Sequence, residues 1–409
     1  MIGFSPSDDQ KMMVDSVGQF AKTLRPRIRE CEKARALPDD LRKAAHDLGL
    51  GLVALPEAVG GSGLGLATAV LLEEEVAWGD PAAAFGFGGP GALGLAVIEL
   101  GTPEQAQALL APFAAGDGWK RFGAVAWSEK KPLADREGLA VTAARSGGEW
   151  VLSGEKSYVT NFDRAEAFVV FAQVDPTKGW DGLGAFVVRK NAPGVSTTAR
   201  YTTLGLDVAS FGGLRLDGVK VSDADRLAGG ADFGAALLRF FAKYALLVAA
   251  RSVGLSRAAF ETTREYCDTR KAFGKPIGHF QAVAFTIADR AMDVDSARAM
   301  VQRAAWTWDA LAAGNDTVDE RRALLCTAYA VAHAHESAMR CGDDGVQLHG
   351  GSGFMRDYPV EKFMRDAKQL GLCVMTAEQA DHLAATVELG APLKIGALLP
   401  TAESQPTFV

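Results

Sequence analysis

Apolar residues recur every three to four positions near the start of the chain, with Met13, Val17, Phe20 and Leu24 on one side. The spacing predicts an amphipathic helix, with Ser5 as its N-cap, Pro6 as its first helical residue and Asp8 three positions on. The same period recurs from Leu41 to Leu50, Ala67 to Trp78 and Glu104 to Phe113, interrupted by the turn-forming run Pro56-Glu57-Ala58-Val59-Gly60-Gly61. Ala82 to Ile98 is uncharged, but Gly86, Gly88, Gly89, Pro90, Gly91 and Gly94 break it. A membrane-spanning helix needs ~20 continuous apolar residues, so this segment predicts a buried helical region with a turn and no membrane span.

The period changes near Phe122. Phe122 to Trp127, Leu139 to Arg145, Glu149 to Leu152, Ala167 to Val174, Leu183 to Arg189 and Gly213 to Val221 are short, β-branched or alternating runs. Turns such as Ser146-Gly147-Gly148 and Asn191-Ala192-Pro193-Gly194 bound them, which predicts a small β-barrel or β-sandwich domain. Helical spacing returns after Phe233, through Tyr244 to Tyr266, Phe280 to Leu311 and Glu320 to Met339, as far as about Leu389. The expected fold is mainly α with a central β domain. Residues 1–118 form an N-terminal helical domain, 119–230 the β domain, 231–390 a C-terminal helical bundle and 391–409 a loosely held tail.

Composition narrows the function classes. At 409 residues the chain exceeds one typical core. A hydrophobic content of 48% with 23% charged residues excludes disorder, and a formal charge of -7 without a basic stripe argues against nucleic-acid or anionic-membrane partners. Five scattered cysteines without a C-x-x-C pair suit reduced thiols in a cytoplasm, and the opening MIGFSPSDDQ lacks the basic-then-apolar pattern of a signal peptide.

The richest segment is Gln347 to Lys368, QLHGGSGFMRDYPVEKFMRDAK. Gly350, Gly351 and Gly353 permit positive φ and close approach to a ligand, and Pro359 suits the first turn of a helix. The segment closely resembles the C-terminal signature of the acyl-CoA dehydrogenase family. The resemblance extends along nearly the whole chain, through Pro56-Glu57-x-x-Gly60-Gly61, Lys156-Ser157-Tyr158-Val159-Thr160-Asn161, Arg270-Lys271-Ala272-Phe273-Gly274 with Gln281, and Gln302-Arg303-Ala304-Ala305-Trp306. It implies an FAD-dependent enzyme acting on an acyl thioester. Ser128, Tyr158, Thr160 and Thr376 would then face the flavin, with tyrosine standing where the family has tryptophan at 158. Arg270, Phe273, Gln281, Gln347, Gly350 and Gly351 would hold the cofactor's other half from a neighbouring subunit, so the resemblance also implies a dimer of dimers. An electron-transferring flavoprotein is the acceptor it implies.

The substrate side departs from the pattern. Where the family reads Y-E-G-T and its glutamate removes a proton, this chain reads Cys373-Val374-Met375-Thr376. The position of the relocated glutamate in some members is Tyr244, and two polar family positions are Ala242 and Ala245. The family's T-E-P-G-A-G-S-D loop aligns with residues 128–135, and only its ends survive. Val374 retains an N–H to polarise a thioester carbonyl but has no proton acceptor. Glu378 and Asp381 are the carboxylates that follow it.

Other signals carry less. Gly86 to Gly91 spells G-x-G-x-x-G with no strand before it and Pro90 within it. His333 and His335 are two apart on a helix and make a poor metal pair, which favours packing roles. The run Glu73-Glu74-Glu75 predicts a solvated helix face, and Trp306 with Trp308 predicts core. Three functions fit: an acyl-thioester oxidoreductase with a replacement base, a non-catalytic subunit donating its FAD half-site to a glutamate-bearing homologue, or a flavin monooxygenase or other reaction on the same fold.

Overall fold

The computed structural model describes residues 6–130 and 138–398. Its first helix, α1 (Asp8–Leu24), is capped by Ser7, whose hydroxyl accepts from the Gln10 N–H while the Gln10 side chain accepts from the Ser7 N–H. This reciprocal box moves the helix start past the expected cap, Ser5, which lies outside the described residues. Val17, Phe20 and Leu24 are buried as the period requires. The helices α2 (Ile28–Ala34), α3 (Asp39–Asp47), α4 (Gly65–Gly79), α5 (Ala83–Gly86), α6 (Gly91–Leu100) and α7 (Pro103–Ala114) complete the first layer. The glycine-rich segment is two buried helices, α5 and α6, joined by a turn at 87–90.

The middle strands are β1 (Gly123–Ala126), β2 (Thr142–Ser146), β3 (Glu149–Thr160), β4 (Ala167–Gln173), β5 (Leu183–Arg189), β6 (Val195–Thr197), β7 (Phe211–Val221) and β8 (Arg226–Leu227). Among the described residues they form one sheet in the order β6-β7-β3-β2-β4-β5-β8, with β1 parallel to β4. Every residue of β4 is buried. Phe168, Val170 and Ala172 fill the β domain's own core, whereas Val169 and Phe171 face the helices, because alternate strand residues point to opposite sides. Phe171 meets Phe240 and Phe241 at ring-centroid distances of 6.0 and 6.2 Å.

The C-terminal helices are α8 (Phe233–Thr269), α9 (Gln281–Ala312), α10 (Glu320–His349), α11 (Val360–Leu370) and α12 (Ala377–Glu388). Helix α8 runs through the centre and packs on α4, α9 and α10. It is long and apolar enough to cross a membrane, but 67% of its most apolar window is buried inside the protein. The five cysteines are free thiols.

Three expectations are corrected. The Glu73-Glu74-Glu75 run is no solvated face, because α8 and α9 turn three arginines toward it: Glu73 pairs with Arg251, Glu74 with Arg257 and Arg298, and Glu75 with Arg257. Trp308 is buried, but Trp306, two positions earlier and so on another side of α9, is 55% exposed. The tail is docked over its first residues, where a 3-10 turn, Ile395–Leu398, buries Ile395 and Leu398.

The helix of the Gln347 to Lys368 signature, α11, ties the three parts together. Pro359 sits at its N-cap, and Lys362, 1% exposed, bonds Asp80 at 2.9 Å and Asp366 at 2.5 Å. Asp366 in turn accepts the Leu206 N–H at 2.7 Å. Burial opposes the Lys362 charge, yet the two carboxylates outweigh it and raise its pKa. Much of this signature is therefore an inter-domain clamp.

Candidate functional site

A cavity of about 710 Å³ opens between α4, the α5–α6 turn, the β-domain edge, α8 and the segment before α12. Its β-domain wall is the end of β3. There the register with β7 shifts between Lys156 and Val159, and Tyr158 and Asn161 take φ of 56° and 58°. A bulge re-aims side chains, and positive φ in a non-glycine residue marks strain of the kind concentrated at ligand sites. The bulge is backed by a buried ion pair in which Lys156 Nζ donates to Glu129 at 3.0 Å and to the Trp127 carbonyl at 2.9 Å. The Ser128 carbonyl accepts the Ser157 N–H at 2.8 Å, which seats Ser128 beside β3.

Ser128, Tyr158 and Thr160 line this wall, and Tyr158 is 64% exposed. Behind them Ser157 Oγ and Asn161 Oδ1 are buried without a partner among the described residues, although Asn161 Nδ2 donates to the Phe85 carbonyl at 2.8 Å. Orphaned buried acceptors and an open aromatic face fit a flat, polar-edged ring system such as a flavin. The remainder of the altered loop, 131–135, lies outside the described residues.

Opposite stands the segment Cys373 to Thr376. The Met375 N–H donates to the Cys373 carbonyl at 2.8 Å, closing a three-residue turn with Val374 at φ 67°. That turn is strained, and more so for a β-branched residue. It leaves the Val374 N–H without a backbone acceptor among the described residues. Thr376 also lines the cavity while capping α12 through its hydroxyl, which accepts from the Gln379 N–H. Glu378 and Asp381 are exposed on α12, and neither lines the cavity. Hydrogen bonds at the start of α12 hold the Glu378 carboxyl low, and burial moves Asp381 up.

Tyr244 lines the cavity, and burial pushes its phenol up to about 12, so it stays protonated at neutral pH. Cys373 is likewise pushed up to about 12 by burial. Ala242 and Ala245 are buried in packing and do not reach the cavity.

The sequence reading missed Glu73 and Arg251, which both line the cavity. Arg251 donates from Nε and Nη2 to the two Glu73 oxygens at 2.8 and 3.1 Å, and its guanidinium lies 4.4 Å from the Phe85 ring centre. Burial opposes the guanidinium charge, but Glu73 outweighs it and raises the Arg251 pKa. The sequence did contain a signal: Arg251 is the lone charge in the apolar run Ala245 to Leu255, and a buried charge needs a partner.

The remaining expected residues are elsewhere. Arg270, Gln281, Gln347, Gly350 and Gly351 are exposed, and none lines the cavity. Phe273 is 96% exposed at the tip of a hairpin made by β9 (Lys271–Ala272) and β10 (Lys275–Pro276). Phe273 and Gly274 have φ of 50° and 86°, the signs of a type I′ turn. A bare aromatic in a left-handed conformation is costly. His333 and His335 face serines at 2.7 and 2.8 Å, Ser296 and Ser252 respectively.

Comparison with known proteins places this geometry. Models of the acyl-CoA dehydrogenase N-terminal, middle and C-terminal domains match residues 7–117, 124–219 and 234–372. A probable acyl-CoA dehydrogenase, YngJ, of Bacillus subtilis is 32% identical over 92% of this chain and 97% of its own length. Benzylmalonyl-CoA dehydrogenase of Aromatoleum aromaticum is 30% identical over 89% of this chain and 94% of that protein. The structure of butyryl-CoA dehydrogenase from Megasphaera elsdenii superposes with a TM-score of 0.85 at 26% identity, covering 95% of this chain and all of that one.

Proposed function

This chain belongs to the acyl-CoA dehydrogenase family, and from that premise we propose that it is an FAD-dependent oxidoreductase that dehydrogenates an atypical acyl thioester with a replacement base. The observation that carries this reading is the cavity lined by Ser128, Tyr158, Thr160 and Val374, whose N–H has no backbone acceptor among the described residues. The relatives named above carry CoA thioesters in their names, which supports CoA as the thioester's carrier. FAD, when bound, would supply the two-electron acceptor. The chain's own residues then have three tasks: Tyr158 and Thr160 to hold the flat ring, Val374 N–H to polarise the thioester, and a carboxylate to take the α-proton.

In this reading Arg270, Phe273, Gln281, Gln347, Gly350 and Gly351 serve the cofactor of a second subunit. Their exposure away from the cavity supports that arrangement. A dimer of dimers would contain four such sites, and electrons would leave to an electron-transferring flavoprotein. Arg270→Ala and Phe273→Ala are therefore expected to lower FAD retention about 10- to 100-fold, through lost charge-assisted and stacking contacts, without unfolding the chain. FAD occupancy by absorbance, beside an unchanged circular-dichroism melt, checks this; normal occupancy in both variants would sink the two-subunit site.

The decisive test is anaerobic. Purified FAD-loaded protein should lose its oxidised-flavin absorbance with at least one acyl thioester of a broad panel and release an enoyl thioester. The same intact surface set also supports a second reading, a subunit that completes the site of a glutamate-bearing homologue. That subunit would bind FAD poorly alone and gain it on co-expression with the homologue.

A further inference from the structure

Among the described residues lining the cavity, Glu73 is the one carboxylate. It lies within α4, and its neighbours along the wall are apolar: Leu72, Val76, Phe85 and Leu247. Arg251 holds both of its oxygens, and the Glu73 and Arg251 side chains are 17% and 7% exposed. Tyr244 sits two turns before Arg251 on α8, hence on the same side of that helix. Cys373, next to Val374, also lines the cavity, and its thiol and the Tyr244 phenol both lie within electrostatic reach of Arg251. The pair therefore shares one cavity with both positions where the sequence lacks a base.

We infer that Glu73 is the replacement base and Arg251 its positioning partner. The inference rests on the dehydrogenation reading above and names the residue that reading requires.

Three physical arguments carry it. An isolated charge in an apolar cavity is costly, and the guanidinium and the carboxylate offset each other's burial. Two donated bonds leave lone pairs on a carboxylate that has about four acceptor sites. A buried ion pair is also poor evidence of a stability device, since apolar replacements of similar volume are often neutral or better. In the reaction the Cα–H bond breaks and its proton passes to a Glu73 oxygen. The electron pair forms the Cα=Cβ bond as hydride leaves Cβ, and FAD, when bound, would supply the two-electron acceptor. Arg251, its counter-charge then neutralised, would favour the negative charge that develops on the thioester.

The test compares wild type, E73Q, E73Q/R251M and E73Q/V374E as FAD-loaded proteins, using the thioester panel. E73Q/R251M removes the unpaired buried cation and guards against a folding defect in E73Q. Two quantities are read: the rate of flavin reduction, and exchange of the thioester α-proton in D₂O by mass spectrometry. E73Q and E73Q/R251M are expected to keep FAD and a near-normal KM but lose about 10²- to 10⁴-fold in both rates. V374E should restore part of both. Wild-type rates in E73Q, or a loss confined to KM, would overturn the assignment and leave the pair as a binding or structural device. If no thioester reduces wild type, yet wild type exchanges the α-proton and E73Q does not, the dehydrogenation reading falls and Glu73 remains the base. Absence of exchange in wild type overturns the assignment.

Discussion

Lys362→Met is expected to destabilise the protein by about 3–5 kcal/mol, the usual cost of removing one partner from a buried ionic cluster. Lys362 bonds Asp80 before α5 and Asp366 on α11, and Asp366 holds the Leu206 N–H of the middle domain. Without the ammonium, two buried carboxylates face each other. Burial already raises the Asp366 pKa despite Lys362, and that pKa would rise further in the variant. An acid whose folded pKa is raised binds more protons in the native state, so its penalty grows as pH rises through that range. Urea melts should therefore show a smaller deficit at pH 5 than at pH 7.5. D80L and D366N added to the variant should recover most of the loss, since the introduced amide would keep an acceptor for the Leu206 N–H. A deficit below about 1 kcal/mol at both pH values would show that the clamp contributes little.

The second large effect is an acid sensitivity centred on His335. This imidazole is 3% exposed, its Nδ1 meets Ser252 Oγ at 2.8 Å, and burial lowers its pKa to about 4. The unfolded chain protonates the same histidine near 6.5, so between about 6.5 and 4 the unfolded state binds the extra proton. Stability from the neutral ring is thus fully present above that window and is lost as pH falls through it. At about 1.36 kcal/mol per unit, the loss is about 3 kcal/mol. His335→Gln keeps a hydrogen-bonding side chain without a titrating ring. Its urea midpoint should change less than that of wild type between pH 7 and 5, and parallel curves would remove His335 as the cause.

The family pattern was legible because it depends on local order. The glycine turn at 350–353, the hairpin residues Arg270 to Gly274 and the strand Lys156 to Asn161 are each short enough for spacing to reveal. Periodicity likewise located the helices, with errors of a few residues at caps. Ser7 displaced Ser5 because a glutamine three residues later completed its capping box. The signature helix showed its sequence but not its purpose, since Lys362 becomes a clamp only when Asp80, far away in the chain, packs against it.

Glu73 shows the same limit at the site itself. Along the chain it is one of three consecutive glutamates, and a charged run is ordinarily a solvated face. In the fold, α4 lies against α8 and α9, three arginines close over the run, and Glu73 turns into the cavity with Arg251. The sequence by itself determined the family, the three-part order of helices and strands, and the absence of a carboxylate at 374 and 244. Only the tertiary structure decided which carboxylate enters the cavity, which family residues face outward, and which charges are structural. Those outcomes depend on contacts between residues tens to hundreds of positions apart, where charge and burial are set by the partner rather than by the neighbours in sequence.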